Sequence, residues 1–274
     1  MTKEGIGVTS RPDGRDGGGK LRPLSAELST LTRADGSAKF CAGSTTVLAA
    51  VYGPVAPRMS NRELPDRAMI SVVWKQQSAA SYGATERELE RFVVDALTCC
   101  IQVRDHPRTV IQVVLQVITA DGSVLSTAIN AAVMAILDTG IIAMKSMPIA
   151  STILLLPSHP PNNNTNDNNN NNNSQSLCLD PVAEEESSAE SSAVVLVTTT
   201  NNNNNNNNND NNNNNKQQSN TNVVASMTFG PLSSLESYLA CIEAASRTSQ
   251  AVVAFIRLAM EQKVTREAQT LWSN

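Results

Sequence analysis

Two asparagine tracts, at 162–173 and 201–215, constrain the fold of this 274-residue chain more than any other feature. Segments of this composition cannot bury enough apolar surface to join a core, so we expect them to be disordered loops. Strand-like apolar runs flank both tracts, which predicts that each tract extends the tip of a strand-to-strand connection. The remaining sequence predicts one domain over 21–274, preceded by a flexible arm at 1–20.

The composition favours a domain with an aliphatic core in a reducing compartment. Hydrophobic residues make up 41% of the chain and aromatic residues only 3%, so Val, Ile, Leu, Ala and Met must supply the core. The five cysteines lack CxxC spacing, which is typical of reduced thiols. We find no N-terminal apolar leader and no run of about 18 apolar residues, so neither secretion nor a membrane span is expected.

The charge is unevenly distributed along the chain. Residues 1–75 carry a net charge of +4, and residues 76–274 carry −8. The basic N-terminal part is therefore the better candidate for contact with a polyanion. The alternative is that the difference only keeps an ordinary surface solvated.

Hydrophobic periodicity predicts an α+β domain. Short β-branched runs indicate strands, and apolar residues at three- and four-residue spacing indicate helices. The predicted strands are 45–52, 69–74, 109–118, 149–156, 176–180, 192–197 and 222–229; the predicted helices are 86–101, 125–140 and 232–263. Strands and helices in this order favour an α+β fold with mixed sheets and packed helices.

Two stretches carry a resemblance to a known family. Residues 10–54 contain R-P-D-G-R, a second R-P, and G-S-T-T-V-L; residues 106–141 contain H-P, A-D-G and I-N-A-A-V-M-A-I-L-D-T-G-I. In this order they resemble the RNase PH family, and within it the small RNase PH-type subunit of the eukaryotic exosome core ring. The resemblance implies an RNase PH-like domain and, in active members, phosphorolysis of RNA from the 3′ end.

The resemblance also implies that the phosphate site is degenerate. A helix N-terminus after the turn at 120–123 can hold an anion through its backbone N–H groups. Active members place an arginine in the sequence that follows A-D-G, whereas this chain has Leu125, followed by Ser126. A leucine cannot pair with phosphate, so Ser126 and Thr127 are left as weak donors, and we expect no catalytic residues.

The carboxylates of the family pattern are displaced as well. Active members carry E-D-x-x-A-x-x-D after an L-D strand end, and here Ser192 stands where the second aspartate belongs. Glu185 or Glu186 falls near the first aspartate. We interpret Glu184, Glu185, Glu186 and Glu190 as a solvated acidic loop, and expect neither a metal nor a cofactor.

Basic residues of the early loops and the first helix are the candidates for RNA phosphate contacts. These are Arg58, Arg62, Lys75 and Arg91, each of which could equally be an ordinary surface residue. Asp95 stands where the family usually has a second basic residue. The expected partners are other RNase PH-type subunits in a hetero-oligomeric ring and single-stranded RNA, with no membrane; the expected locations are nucleus, nucleolus and cytoplasm.

Other signals are weaker. Gly14 to Lys20 fits part of a phosphate-binding loop, but Leu21 replaces the Ser or Thr that would bind Mg²⁺. His106 and His159 lack ligand-spaced partners, so a zinc site is not expected.

Two alternatives stay open. The chain could be an active exoribonuclease, either phosphorolytic or metal-dependent through its acidic cluster, or it could be an autonomous homo-oligomer.

Overall fold

The chain folds around two β-sheets with two helices between them. The computed structural model describes residues 11–57, 63–76, 83–156, 176–189, 191–200, 220–231 and 234–272. The strands are β1 (Leu24–Leu28), β2 (Gly36–Ala42), β3 (Thr45–Val55), β4 (Met69–Lys75), β5 (Val110–Thr119), β6 (Pro148–Leu156), β7 (Ser176–Leu179), β8 (Ser191–Thr200) and β9 (Asn220–Phe229). The helices are α1 (Ala84–Cys100), α2 (Val124–Thr139), α3 (Ala183–Ser188) and α4 (Leu235–Trp272), with a 3-10 turn at Val103–Asp105.

The two sheets differ in strand direction. The first has the order β1-β2-β3-β5-β4, in which β4 and β5 are parallel and the other pairs are antiparallel. The second has the order β7-β6-β8-β9 and is antiparallel throughout. The expected α+β class with mixed sheets is confirmed.

Helix α2 is the centre of the core. Every residue from Leu125 to Ile136 is buried, because the helix contacts the first sheet on one side and β6 of the second sheet on the other. A helix buried on all sides must be apolar or small all round, and the sequence of α2 fits that requirement. Helix α1 packs on β4, with Val93, Ala96 and Leu97 in the same core.

Helix α4 covers the second sheet and then extends to the first. Cys241 and Ala245 are buried against β6 and β8, and Phe255 meets Phe40 of β2 edge to face, with ring centroids 6.0 Å apart. By length and composition alone, α4 could also span a membrane, a test that core helices pass equally. Its buried residues, among them Val252, Val253 and Ile256, pack within the fold.

The predicted strands and helices are confirmed, with ends within about three residues of the observed ones, except that α4 extends to Trp272 instead of ending at 263. Three elements were missed. Strands β1 and β2 are rich in alanine, serine and charged residues, and they become strands by pairing with each other and with β3. Helix α3 has only six residues and lies in the segment interpreted as an acidic loop.

The asparagine tracts and residues 1–10 of the expected arm lie outside the described residues. The described strands on either side of each tract do pair, β6 with β7 and β8 with β9. Residues 11–20 differ from the expected flexible arm: Arg11 is buried, and Gly18 accepts a hydrogen bond from the Leu179 N–H at 2.7 Å. A β-carbon on Gly18 would lie 2.2 Å from the Leu177 carbonyl oxygen, so the contact requires glycine.

A buried asparagine completes the free side of β6. Strand β7 pairs only with Ile153–Leu156, so Ala150 lies beyond its end. The Asn130 side chain of α2 takes its place: its amide donates to the Ala150 carbonyl at 3.1 Å and accepts from the Ala150 N–H at 3.0 Å. The Asn130 side chain therefore pairs with both backbone groups of Ala150, as a neighbouring strand would.

We expect Asn130→Leu to lower the free energy of unfolding by about 2–4 kcal/mol, because it leaves two buried backbone groups without partners. Urea denaturation followed by circular dichroism measures the loss. Asn222→Ala, at an exposed position of β9, is the matched control and should change stability by less than about 0.5 kcal/mol. Equal stability of the two variants would contradict this role for Asn130.

Candidate functional site

The turn at 120–123 is pressed against the segment that follows β7. Gly122 has φ of 75°, and a β-carbon there would lie 2.4 Å from the Pro181 carbonyl oxygen. Ser123 also has a left-handed backbone, with φ of 51°, and its hydroxyl donates to the same carbonyl at 3.0 Å. This contact fixes the N-terminus of α2 beside the acidic segment.

A carboxylate of the chain itself occupies the N-terminus of α2. The Ser123 N–H donates to Oε1 of Glu186, on α3, at 2.7 Å. Negative charge is favourable at this end of a helix, and phosphate binds such ends for the same reason. In this chain, an external anion would have to displace Glu186 to reach that N–H.

The two positions assigned to a degenerate phosphate site lie inside the protein. Leu125 is 7% exposed and belongs to the main hydrophobic core. The Ser126 hydroxyl donates to the Ser123 carbonyl at 3.0 Å and accepts from the Thr152 hydroxyl at 2.8 Å. Thr127 also donates to the Ser123 carbonyl, at 2.8 Å, so both candidate donors are used internally.

The cavity beside these hydroxyls is small. Its volume is about 30 Å³, and its lining includes Ser126, Thr127, Ser151, Thr152 and Asp180. A water needs about 10–15 Å³ of such space, so the cavity has room for about two or three waters. It has no room for a nucleotide.

The interpretation of the acidic segment as a solvated loop is wrong for two of its residues. Glu184 is exposed, as expected, but Glu185 and Glu186 are half-buried and bonded within the fold. They lie on α3, whose first turn contains Glu184, Glu185 and Glu186, and negative charge is favourable at that end of a helix. Ser192 lies on β8, and Glu190 is outside the described residues.

Arg11 holds Glu185 in place through a two-point contact. Its Nε and Nη2 donate to the two carboxylate oxygens at 2.8 and 2.6 Å. The Arg11 Nη1 also donates to the Leu179 carbonyl, at 2.9 Å. The side chains of Arg11 and Glu185 are 7% and 11% exposed, so this pair is shielded from solvent, unlike a surface ion pair.

Arg22 connects the segment after β7 to the turn before α2. Its Nη2 donates to Asp180 Oδ1 at 2.6 Å, and its backbone N–H donates to Oδ2 at 3.0 Å. Its Nη1 donates to the Asp121 carbonyl at 2.6 Å, which joins the pair to the turn before α2. The Nε of Arg22 is buried without a partner among the described residues.

Sequence reasoning missed these arginines as site residues. R-P-D-G-R and the second R-P supported the family resemblance, but their partners lie more than 150 residues away. The basic excess of the N-terminal part is thus partly neutralised inside the protein. Arg15 likewise pairs with Asp13 at 2.5 Å and donates to the Asp180 carbonyl at 2.9 Å.

The pKa values of the two neighbouring carboxyls of α3 are shifted in opposite directions. Burial alone would raise the pKa of Glu185, but hydrogen bonds from Arg11 and the Val182 N–H lower it. Burial raises the pKa of Glu186, and the Ser123 N–H offsets this only in part, with the charges of Asp180 and Asp121 acting against ionisation.

Cys178 lies beside Arg11 and Glu185 of this site, and the burial of its thiol disfavours the reactive thiolate. All five cysteines are free, and burial raises the pKa of Cys178 and Cys241 to about 11. Cys100 is buried while its neighbour Cys99 is exposed, as their positions on different faces of α1 predict. Within the described ranges, no cluster of three or more His, Cys, Asp or Glu side chains could hold a metal ion.

The described RNA-binding candidates lie at the same end of the first sheet as the turn. Lys75 ends β4, and because β4 runs parallel to β5, the residues that lead into α2 leave the sheet at this end. Arg91 is on α1, and both side chains are exposed. The Trp74 N–H donates to Glu90 at 2.8 Å, which links the neighbours of the two cations. Arg58 and Arg62 lie outside the described residues.

Comparisons with known proteins give a consistent result. The model of the 3′ exoribonuclease family, domain 1, matches residues 20–142. The exosome complex exonuclease RRP46 homolog of Oryza sativa subsp. japonica is 42% identical over 141 residues, which are 52% of this chain and 58% of that protein. The exosome complex component RRP41 of Homo sapiens is 37% identical over 143 residues, 48% of this chain and 57% of that protein.

A solved structure matches over a longer range. The crystal structure of rice Rrp46 superposes with a TM-score of 0.73 at 30% sequence identity, covering 92% of this chain and 100% of that chain. By sequence alignment, however, this chain spans only 57–58% of the length of the curated relatives named above.

The pKa of Glu185 is lowered and that of Glu186 is raised. Replacement by glutamine should therefore have opposite effects on the free energy of unfolding at the two positions. Glu185→Gln should lower the free energy of unfolding by about 2 kcal/mol at pH 7, because it removes a charged partner from Arg11. A lowered carboxyl pKa stabilises the fold above the usual glutamate pKa and ceases to do so as the pH falls through the lowered value. The deficit should therefore shrink below about pH 4.

Glu186→Gln should be neutral or stabilising at pH 7. A raised pKa makes the ionised carboxylate unfavourable in the fold, while glutamine still accepts the Ser123 N–H. Any gain should disappear at acidic pH, where the wild-type group is protonated. Urea denaturation from pH 3 to 7 measures both effects, with Glu184→Gln as the exposed control. Equal, pH-independent effects at 185 and 186 would refute the assignment.

Proposed function

The chain belongs to the RNase PH family of 3′ exoribonucleases, and from this premise we propose that it is a non-catalytic core subunit of an RNA exosome. It contributes to ring assembly and RNA binding during 3′-to-5′ RNA processing and degradation, including rRNA processing and mRNA turnover. Its partners are other RNase PH-type subunits and single-stranded RNA. The names of its relatives, an exosome exonuclease homolog and an exosome component, support this proposal.

One observation carries the non-catalytic part of the proposal. The N-terminus of α2, where phosphate would bind in an active member, is occupied by Glu186, and the position of the phosphate-binding arginine is the buried Leu125. Phosphorolysis requires cations and N–H donors that hold inorganic phosphate beside a charged backbone. Here the Glu186 carboxylate accepts the hydrogen bond of the Ser123 N–H and repels phosphate.

RNA binding would use the cations at the end of the first sheet. Lys75 and Arg91 are exposed, and the bond between Trp74 and Glu90 fixes the strand and helix that carry them. Such cations contact phosphates without reading sequence. Arg58 and Arg62 would extend the same surface. An exosome subunit acts where RNA is processed, so we place the protein in nucleus, nucleolus and cytoplasm.

The second candidate function is an active 3′-to-5′ exoribonuclease. The name of the rice relative, an exosome complex exonuclease homolog, is the observation that favours it. A phosphorolytic site would have to displace Glu186. A metal-dependent site would need a ligand set, and the described part of the chain contains no suitable cluster.

A degradation assay separates the two functions. Purified chain is incubated with 3′-labelled single-stranded RNA, with and without inorganic phosphate and Mg²⁺, and the released nucleotides are identified. We expect no products, because Glu186 occupies the Ser123 N–H and Leu125 stands at the position of the phosphate-binding arginine. Nucleoside diphosphates formed only with phosphate, or monophosphates formed only with Mg²⁺, would overturn the non-catalytic proposal. A Ser126→Ala variant purified in parallel is the control for phosphate-dependent activity: activity of the site at α2 falls in the variant, whereas contaminating phosphorolytic activity is unchanged.

The RNA surface is tested through salt dependence. Lys75→Ala and Arg91→Ala should each weaken single-stranded RNA binding and reduce the slope of log K against log salt by about 0.7, the value for one phosphate contact. Arg247→Ala is the control, because Arg247 is an exposed cation of α4 that pairs with Glu243 on the same helix. Fluorescence anisotropy at several salt concentrations measures the slopes. Unchanged slopes in both variants would exclude these residues from the RNA surface.

A further inference from the structure

The small cavity between α2, β6 and α4 is lined by five buried hydroxyl groups, each on a residue that is at most 8% exposed. We call them the hydroxyl cluster: Ser126 and Thr127 of α2, Ser151 and Thr152 of β6, and Thr248 of α4. Ser123 and Glu186 are not among the described residues that line this cavity. The cluster is therefore distinct from the contact at the N-terminus of α2.

The hydroxyl protons on the α2 side are all used within the protein. Ser126 and Thr127 both donate to the Ser123 carbonyl, at 3.0 and 2.8 Å. Thr152 donates to the Ser126 hydroxyl at 2.8 Å. A hydroxyl has one proton and two lone pairs, so these three groups can offer the cavity only lone pairs.

The same holds on the α4 side. Thr248 donates to the Ala245 carbonyl at 2.9 Å, so it must accept in its 2.9 Å contact with Ser151. Ser151 is therefore the donor of that pair, and its proton is used as well. The second amide N–H of Asn130 is the one further side-chain donor among the described lining residues. The side chains of the cavity thus present mainly oxygen acceptors.

Negative charge is in excess beside these oxygens. Asp180 lines the cavity, and its charge and that of Asp121 raise the pKa of Glu186, whereas the charge of Arg22 lowers it. Three carboxylates and one guanidinium carry a net charge of −2 when all are ionised. A cation in the cavity would offset part of this charge, which makes its burial less costly.

We propose that the hydroxyl cluster binds a monovalent alkali cation, with Na⁺ as the ion. Hard cations take oxygen ligands, and Ser or Thr hydroxyls serve as cation ligands in phosphate-binding loops. Divalent ions are usually held by several carboxylates, whereas Asp180 is the one carboxylate among the described lining residues. The volume of about 30 Å³ fits a small ion with a water. The bound ion joins α2, β6 and α4 inside the core.

Stability at constant ionic strength tests binding. An ion that binds only the folded chain raises the ratio of folded to unfolded protein by a factor of 1 + [Na⁺]/Kd, which is about elevenfold at ten times the Kd. Urea unfolding of the full chain is compared in equal concentrations of NaCl and choline chloride, since choline is too large for the cavity. Screening of surface charges is equal in the two salts. We expect the higher unfolding midpoint in NaCl.

Thr127→Val removes one oxygen of the cluster and keeps the shape of the side chain. The Ser123 carbonyl retains bonds from the Ser126 hydroxyl and from the N–H of residue 127, at 3.0 and 3.1 Å, so the variant should fold. It should lose most of the stability difference between NaCl and choline chloride. Thr198→Val is the matched control, because Thr198 is a buried hydroxyl of β8 that is not among the residues lining the cavity. The control should keep the wild-type difference.

Sodium-23 NMR detects the ion directly, because exchange with a protein site broadens the Na⁺ resonance. The broadening should occur with the wild-type chain and Thr198→Val, and should fall in Thr127→Val. Equal unfolding midpoints of the wild-type chain in the two salts would overturn the proposal and leave water as the occupant. A full sodium effect in Thr127→Val would overturn it as well. The RNA binding and degradation assays decide the proposed function separately, so the two proposals fail independently.

Discussion

The burial of α2 between two sheets determines most of what the candidate site can do. Because the helix is enclosed on all sides, its first N–H groups are also enclosed, and buried donors must find partners. Glu186 supplies one partner through the Ser123 N–H. The enclosure that makes α2 the centre of the core thus also brings a carboxylate to the place where a phosphate would otherwise bind.

Glu186 can reach that position because α3 is fixed from the other side. A six-residue helix such as α3 is not stable by itself and needs contacts with the rest of the fold. Arg11 neutralises Glu185, and Arg22 binds Asp180 just before α3 begins. The R-P-D-G-R and R-P segments therefore hold α3 beside the N-terminus of α2. They make residues 11–22 a part of the domain rather than an arm in front of it.

The sequence separation between interacting residues explains which elements and site residues could be predicted. Strand β5 and helix α2 are specified locally by periodicity, so their positions were found from sequence. Strand β1 consists of Leu, Ser, Ala, Glu and Leu, which have weak strand preference, and its pairing with β2 decides its structure. The site was harder to predict, because Arg11 and Glu185 are 174 residues apart and no local pattern connects them. Leu125 was identifiable because the family pattern marked its position.

The same distinction explains where the chain accommodates its asparagine tracts. Loop-closure entropy rises only logarithmically, by about 0.6 kcal/mol for each doubling of length, so a long connection barely weakens a hairpin whose strands pair well. The pairing of β8 with β9 extends over both strands and ends at the second tract. That end of the second sheet is opposite to the start of β8, to which α3 leads, because the second tract follows Thr200, the last residue of β8. An expansion there leaves the register of the strands, and hence the position of Glu186, unchanged.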